Sequence, residues 1–426
     1  KKDAPAVKNE AKPKAASKST EKTATVKKDA KSTEKLKSST TKSVEKKDAN
    51  KDNKPATFSD DNVPYSPLHF LPISMKNRTP GDFTMVYGFP GKTEQHVSSS
   101  YLEQIITKER PARIRMRDLS LSVIDKAMKN SELIKIQYAS KQARISNAWK
   151  KWIGQIDGLK RLDAVNLKRE SEALFIEKAN SNPTWKKKYG ETVSQMNSLS
   201  DEFFKYEYSY ALGIEYFYVG PEYFKLIRST KDLISNYSKY VEEGTLQAVK
   251  DKLLGTSEGF FKNYNEEIDQ EIFELLTKEY FSKTSLIPNK TTSSITVYSK
   301  SVFTNQVRFE KFVNQFNKKS LKKVNKDPGY NHYSKHYGTW INDVLPNYRS
   351  FSTTRDVLLK NYVAGKLEMF PDTKHWPDAN STLRISYGQL EGSVPADGKV
   401  YSEHTTLDGL MAKYNSGNPD FALKPR

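Results

Sequence analysis

Between Ser100 and Ser282 the sequence places proline only at positions 111, 183 and 221, while apolar residues return every three or four positions. From Arg115 to Ala179, for example, Leu121, Ile124, Met128, Ile145, Trp149, Trp152 and Ile156 fall on one stripe. That period matches the 3.6 residues of a helical turn, so the stripe predicts one or two long helices buried along a single face. Two later pieces, "LSDEFFKYEYSYALGIEYFYV" and "NEEIDQEIFELLTKEYF", repeat the pattern with many aromatic residues. Aromatic side chains at helical spacing carry large apolar area and predict a core between packed helices. Trp149 and Trp152 are read in the same way, as packing between helices.

The flanks have another texture. From Val63 to Val97 prolines and glycines punctuate short apolar runs, as in strands joined by tight turns. "FTMVYGF" (Phe83–Phe89) reads as a buried strand, with Pro90 and Gly91 turning the chain after it. "GFPGKT" ends like a phosphate-binding loop but lacks its four-residue gap and second glycine, so that function is set aside. Beyond Leu286, "SSITVYSKSVFTNQVRF" fits strand or helix; "RFEKFVNQFNKKSLKKV" is helical with Phe309, Phe312, Val313 and Phe316 on one side. "DPGYN" reads as a turn, Gly365 as the stop of a further helix, and "STLRISYGQLEG" with "PADGKV" as a strand and a hairpin. The residues thus predict an α+β protein in which a helical domain is inserted between two β-rich pieces.

Charge divides the chain differently. Residues 1–57 hold 17 lysines against 8 acidic groups and no aromatic residue, and so account for +9 of the net +19. Such a tract cannot bury enough apolar surface to offset the entropy of ordering its backbone, and it is expected to be disordered. Nucleic acid is therefore expected as a partner only through residues 1–57, because the remaining excess is spread over a much longer chain. No apolar run approaches the roughly 20 residues needed to span a bilayer. With no cysteine, disulfides, thiolate metal sites and a cysteine nucleophile are excluded.

Candidate chemistry is sparse. His332 and His336 lie four apart, a spacing that on a helix would offer both imidazoles to a metal. No glutamate follows the first histidine, and neighbouring glycine and asparagine favour a loop instead. Ser416 sits in "NSGNP" without the flanking residues of a nucleophile turn. No catalytic set assembles from spacing alone.

Four stretches carry a resemblance: "NVPYSPLHFLPISMKNRTPGDFTMVYGFPGKTEQHVSS", "IQYASKQARISNAWKKWIGQIDGL", "WPDANSTLRISYGQLEG" and "TTLDGLMAKY". In this order and spacing, from about Asn53 to Arg426, the chain resembles the bacterial dipeptidyl-peptidase 7 and 11 family of serine exopeptidases. The resemblance implies a chymotrypsin-like double β-barrel, incomplete here, with a large inserted α-helical cap domain. It divides the chain into the disordered tract (1–57), the β-rich end of a first barrel (58–100), the cap (101–370) and the β-rich start of a second barrel (371–426). It also implies release of dipeptides from the free N-termini of oligopeptides, no cofactor, a homodimer, and a periplasmic or cell-surface location. The catalytic histidine, aspartate and serine of the family fall outside the matching residues, so the chain alone is expected to be inactive. Asn147, in the "ISN" block, falls on the family position that grips the substrate's α-amino group, where an amide oxygen can accept its hydrogen bond. The alternative expectation is a non-enzymatic peptide-binding protein whose basic tail binds nucleic acid or other polyanions.

Overall fold

The computed structural model describes residues 49–56, 59–288, 292–417 and 421. Of the tract expected to be disordered, residues 1–48 and 57 therefore lie outside the described residues. The chain divides into two compact units, residues 1–82 and Phe83–Arg426.

In the first unit, the described residues already make regular contacts at Ala49. Ala49 is fully buried and forms isolated antiparallel bridges to Pro55 and Val63. Asn53 adopts a φ of 59°, donates from Nδ2 to the Ser66 carbonyl at 2.6 Å and accepts from the Ser66 amide at 2.7 Å. Asparagine tolerates the left-handed region because its short amide bonds the backbone locally. Composition averaged over the tract cannot reveal one such residue. Across 58–100, β1 (Phe83–Gly88) is the one strand among the described residues. Proline, without an N–H, cannot donate to a ladder. The turn falls at Thr79–Asp82, where Gly81 has a φ of 92° and the Asp82 amide donates to the Thr79 carbonyl at 3.1 Å. Pro90 and Gly91 form no turn.

In the second unit, β1 pairs antiparallel with β2 (Arg384–Gln389), placing Phe83 opposite Gln389 and Gly88 opposite Arg384. β3 (Ser393–Ala396) and β4 (Lys399–Tyr401) form the expected hairpin around Gly398, whose φ is 69°. The "FTMVYGF" strand forms, but Phe83, Met85, Val86 and Tyr87 are exposed, contrary to the buried strand expected. These are two separate two-stranded sheets, and no closed barrel exists among the described residues.

Helices run from Ser99 to Met369. The predicted long pair is α2 (Arg110–Asn130) and α3 (Glu132–Arg161), following α1 (Ser99–Gln104). Ser131 breaks the two with an extended φ of −151° and accepts from the Ile134 amide at 3.3 Å, capping the amides that α3 would leave unpaired. α4 (Ala164–Asn180), α5 (Pro183–Tyr189) and α6 (Thr192–Ile214) follow, then α7 (Tyr223–Ser235), α8 (Tyr237–Glu242) and α9 (Leu246–Phe261). After α10 (Glu266–Lys283), the ambiguous stretch resolves as α11 (Ser294–Lys300) and α12 (Gln306–Asn314), before α13 (Lys318–Val324). Phe309 and Val313 of α12 are fully buried, as their spacing predicts.

The "DPGYN" turn is instead the start of α14 (Pro328–Thr339): Asp327 caps it by accepting from the Tyr330 amide at 2.9 Å, and Pro328 takes the first helical position. Gly365 does not stop α15 (Leu345–Met369). A Cβ there would lie 2.6 Å from the Phe175 ring, so this glycine marks a close approach of α15 to α4. A last helix, α16 (Leu407–Asn415), follows β4. The largest core gathers Tyr216, Phe217, Tyr223, Phe224, Phe273 and Tyr280, each at most 1% exposed.

Candidate functional site

Asn147 stands on α3, and the geometry that fixes α3 starts with a stripe on α2. Glu109, Arg113 and Arg117 are spaced by four, so their side chains line up on one helical face. Glu109 ends a turn of π-helix over Ile105–Glu109, and Glu215 begins a second one over Glu215–Val219. A π-turn inserts a residue and re-aims its neighbours, which often marks functional regions. Here it delivers both carboxylates to Arg113. Glu215, 2% exposed, receives Arg117 Nε at 2.8 Å and Arg113 Nη2 at 2.7 Å; Glu109 receives Arg113 Nη1 at 2.8 Å. Burial alone would lower the Arg113 pKa, but Glu215 and Glu109 outweigh it and hold the guanidinium more firmly charged than usual.

The opposite wall of the cluster is α3. The guanidiniums of Arg113, Arg117 and Arg110 lie 4.1, 4.6 and 5.1 Å from the centre of the Trp152 ring, within cation–π range. Arg117 Nη1 donates to the Ile145 carbonyl at 2.8 Å, and Trp149 Nε1 donates to Asp118 at 2.6 Å. Both tryptophans therefore pack between helices. Two residues past Ile145, Asn147 is exposed, and its amide makes no hydrogen bond among the described residues. Its acceptor oxygen is free for a ligand, on a helix held by a buried ion network.

One turn further along α3, Lys151 lines two adjoining cavities of about 240 and 280 Å³ that share Lys92, Glu94, Tyr101 and Arg110. Asn147 lines neither. The smaller cavity also meets Glu207, whose carboxyl burial pushes above the usual range, with Arg355 opposing that shift from 3.6 Å. Glu94 moves the other way: burial raises it, but the hydrogen bond and charge of Lys92, with Arg110 and Arg355, leave it below its ordinary value. Acidic and basic groups face one another across these cavities: Glu94 pairs with Lys92, and Glu207 with Arg355.

The histidines expected in a loop stand on α14, because Asp327 and Pro328 start a helix where glycine and asparagine suggested none. His332 and His336 are both 1% exposed with ring centres 4.8 Å apart. His332 Nε2 is engaged by the Tyr216 hydroxyl at 2.8 Å, and burial drives the imidazole pKa down to about 3. Among the described residues no three His, Asp or Glu side chains gather as metal ligands. Ser416 caps the end of α16 and donates to the Lys413 carbonyl at 2.6 Å. Sequence reading missed Glu109, Arg113, Arg117 and Glu215, although the four-residue spacing in "ERPARIRMR" carried a signal for the first three.

The sequence profile of the peptidase S46 family matches residues 48–426. The chain belongs to the peptidase S46 family. Among its curated S46 relatives, the Asp/Glu-specific dipeptidyl-peptidase of Flavobacterium psychrophilum is 34% identical over 88% of this chain and 53% of its own length. Dipeptidyl-peptidase 7 of Phocaeicola vulgatus is 30% identical over 88% of this chain and 53% of its own length. The chain thus spans about half the length of the curated relatives it matches. The fold is similar to that of Porphyromonas endodontalis DPP11 solved with the dipeptide Arg-Glu, with a TM-score of 0.70, 23% identity, and coverage of 88% of this chain and 55% of that one. Within the S46 chain, no helix among the described residues is long and apolar enough to cross a membrane.

Proposed function

We propose that this chain carries the helical cap of a serine-type dipeptidyl peptidase that releases dipeptides from the free N-termini of oligopeptides. The observation that carries the proposal is the 34% identity to an Asp/Glu-specific dipeptidyl-peptidase over 88% of the chain. In this reading β1 to β4 belong to the double β-barrel of the whole protein, which acts in the periplasm or at the cell surface as a homodimer. Sedimentation of the whole protein as a monomer would remove the dimer from the reading. The reaction is acyl transfer: a serine activated by histidine attacks the carbonyl of the second residue, the shortened peptide leaves as amine, and water releases the dipeptide.

Asn147 supplies selectivity for a free N-terminus. Its amide oxygen accepts a hydrogen bond from the substrate α-ammonium, which would otherwise lose water contacts without replacement. A hydrogen bond to a charged group contributes roughly 1.5–3 kcal/mol, or about 10- to 150-fold in binding. Asn147→Ala in the whole protein should therefore raise KM for dipeptidyl reporters by at least tenfold with a smaller change in kcat, and Asn147→Asp should restore part of the loss. An unchanged KM in the alanine variant refutes the role. The relatives' names give no support to a purely peptide-binding protein, which would leave reporters uncut by the whole protein.

A further inference from the structure

Away from the α2–α3 cluster, a cleft of about 270 Å³ opens between α7 and α14. One wall is cationic: Arg228 and Lys231 face it from α7, and neither makes an ion pair among the described residues. The other wall is aromatic, with Tyr330, Tyr333 and Tyr337 of α14 at spacings of three and four. Among the described residues no carboxylate lines the cleft. Asp232, next to Lys231, is engaged elsewhere by the Tyr240 hydroxyl at 2.6 Å and Asn236 Nδ2 at 2.7 Å.

Three features make this a formed site and not a random gap. The Tyr333 and Tyr337 rings stack at 4.9 Å and 17°, and the Tyr337 hydroxyl is bonded to that of Tyr218 at 2.7 Å, so the aromatic wall is held in place. Arg228 is fixed over the Tyr218 ring at 4.7 Å and donates to the Phe217 carbonyl. The Tyr333 hydroxyl, on a side chain 5% exposed, sits between the Arg228 guanidinium and the Tyr337 hydroxyl, which tie the cationic wall to the aromatic one. Gly338 forms the floor, and a Cβ added there would meet nothing within 4 Å.

A site with two cations and no acid selects an anion, and a stacked aromatic wall selects a flat ring. The volume lies just below the range of drug-sized pockets, which limits the ligand to about one ring system and one acidic group. We propose that the α7–α14 cleft binds a small aromatic carboxylate, with the carboxylate toward Arg228 and Lys231 and the ring against the tyrosines. This site is separate from Asn147 and does not depend on the peptidase reading.

Indole-3-acetate, titrated into the chain and followed by ligand-observed saturation-transfer NMR, should bind saturably with a dissociation constant on the order of a millimolar or below. Tryptophol keeps the ring but lacks the charge, and acetate keeps the charge but lacks the ring; each should bind at least tenfold more weakly. Lys231→Gln removes one exposed cation and should weaken indole-3-acetate at least threefold. Gly338→Leu fills the floor of the cleft within a helix and should abolish binding with the thermal midpoint preserved. Equal binding of tryptophol or acetate, no saturation below 10 mM, or unchanged affinity in both variants overturns the proposal.

Discussion

Replacing Glu215 by glutamine tests whether the buried ion network holds α3. Glu215 is 2% exposed and accepts from Arg113 at 2.7 Å and from Arg117 at 2.8 Å, so the substitution removes the charge that both guanidiniums share. Besides the Trp152 ring, each arginine keeps one hydrogen-bonded contact: Arg113 to Glu109 at 2.8 Å, Arg117 to the Ile145 carbonyl at 2.8 Å. Breaking a buried pair by removing one partner costs roughly 3–5 kcal/mol, because the other charge is left uncompensated. The retained contacts and the amide's own hydrogen bonds offset part of that, and we expect a loss of about 2–3 kcal/mol. Urea unfolding at neutral pH reads the loss as a lower midpoint at unchanged slope. Arg117→Met in the Glu215→Gln background completes a double-mutant cycle, and a coupling of at least 1 kcal/mol is expected for groups in direct contact. A loss below about 1 kcal/mol together with zero coupling would refute the claim that this network organises the helical pair.

Three further outcomes follow from individual side chains. Gly365→Leu would drive a side chain into the Phe175 ring, 2.6 Å from the Cβ position, and should lower stability by about 1–3 kcal/mol; a thermal midpoint equal to the parent's would contradict that packing. Ser131→Ala removes the cap of α3 and should cost about 1 kcal/mol, read as a proportionate drop in the urea midpoint. His332 has a native pKa of about 3 against 6.5 for an exposed histidine. Only the unfolded chain binds its proton between those values, so stability from this group is full above pH 6.5 and falls as pH drops, by roughly 1 kcal/mol per unit. Asp269, raised to about 7 by burial and then by Glu222, acts in the opposite direction over an overlapping range. His332→Phe should therefore flatten the acid-side decline of the urea midpoint, and an unaltered pH slope would count against a buried neutral imidazole.

The helical middle was legible because its period is set by local geometry. Leu121, Ile124 and Trp152 report their burial through spacing alone, although the helices continue beyond the proline-poor stretch to Met369. Errors gathered where one residue has two uses. Pro328 and Gly329 look like turn chemistry, yet with Asp327 as a cap they begin a helix. Gly365 resembles a helix end and serves instead as a point of contact, a distinction visible only once Phe175 lies opposite it. The exposure of the β1 strand was illegible for a further reason: the same apolar run occurs whether a strand's faces are covered or bare. At the site, the spacing of Glu109, Arg113 and Arg117 was on view. Their partner Glu215 lies 98 residues from Arg117, so nothing local announces it.

The pairing of Gly88 with Arg384 has a topological consequence. Opposed residues in antiparallel strands stand about 5 Å apart, so the polypeptide enters and leaves the helical region through neighbouring backbone positions. Everything between those two points is a closed excursion, attached by a two-stranded neck. Such an excursion can lengthen, shorten or be exchanged without altering the path of the chain outside it.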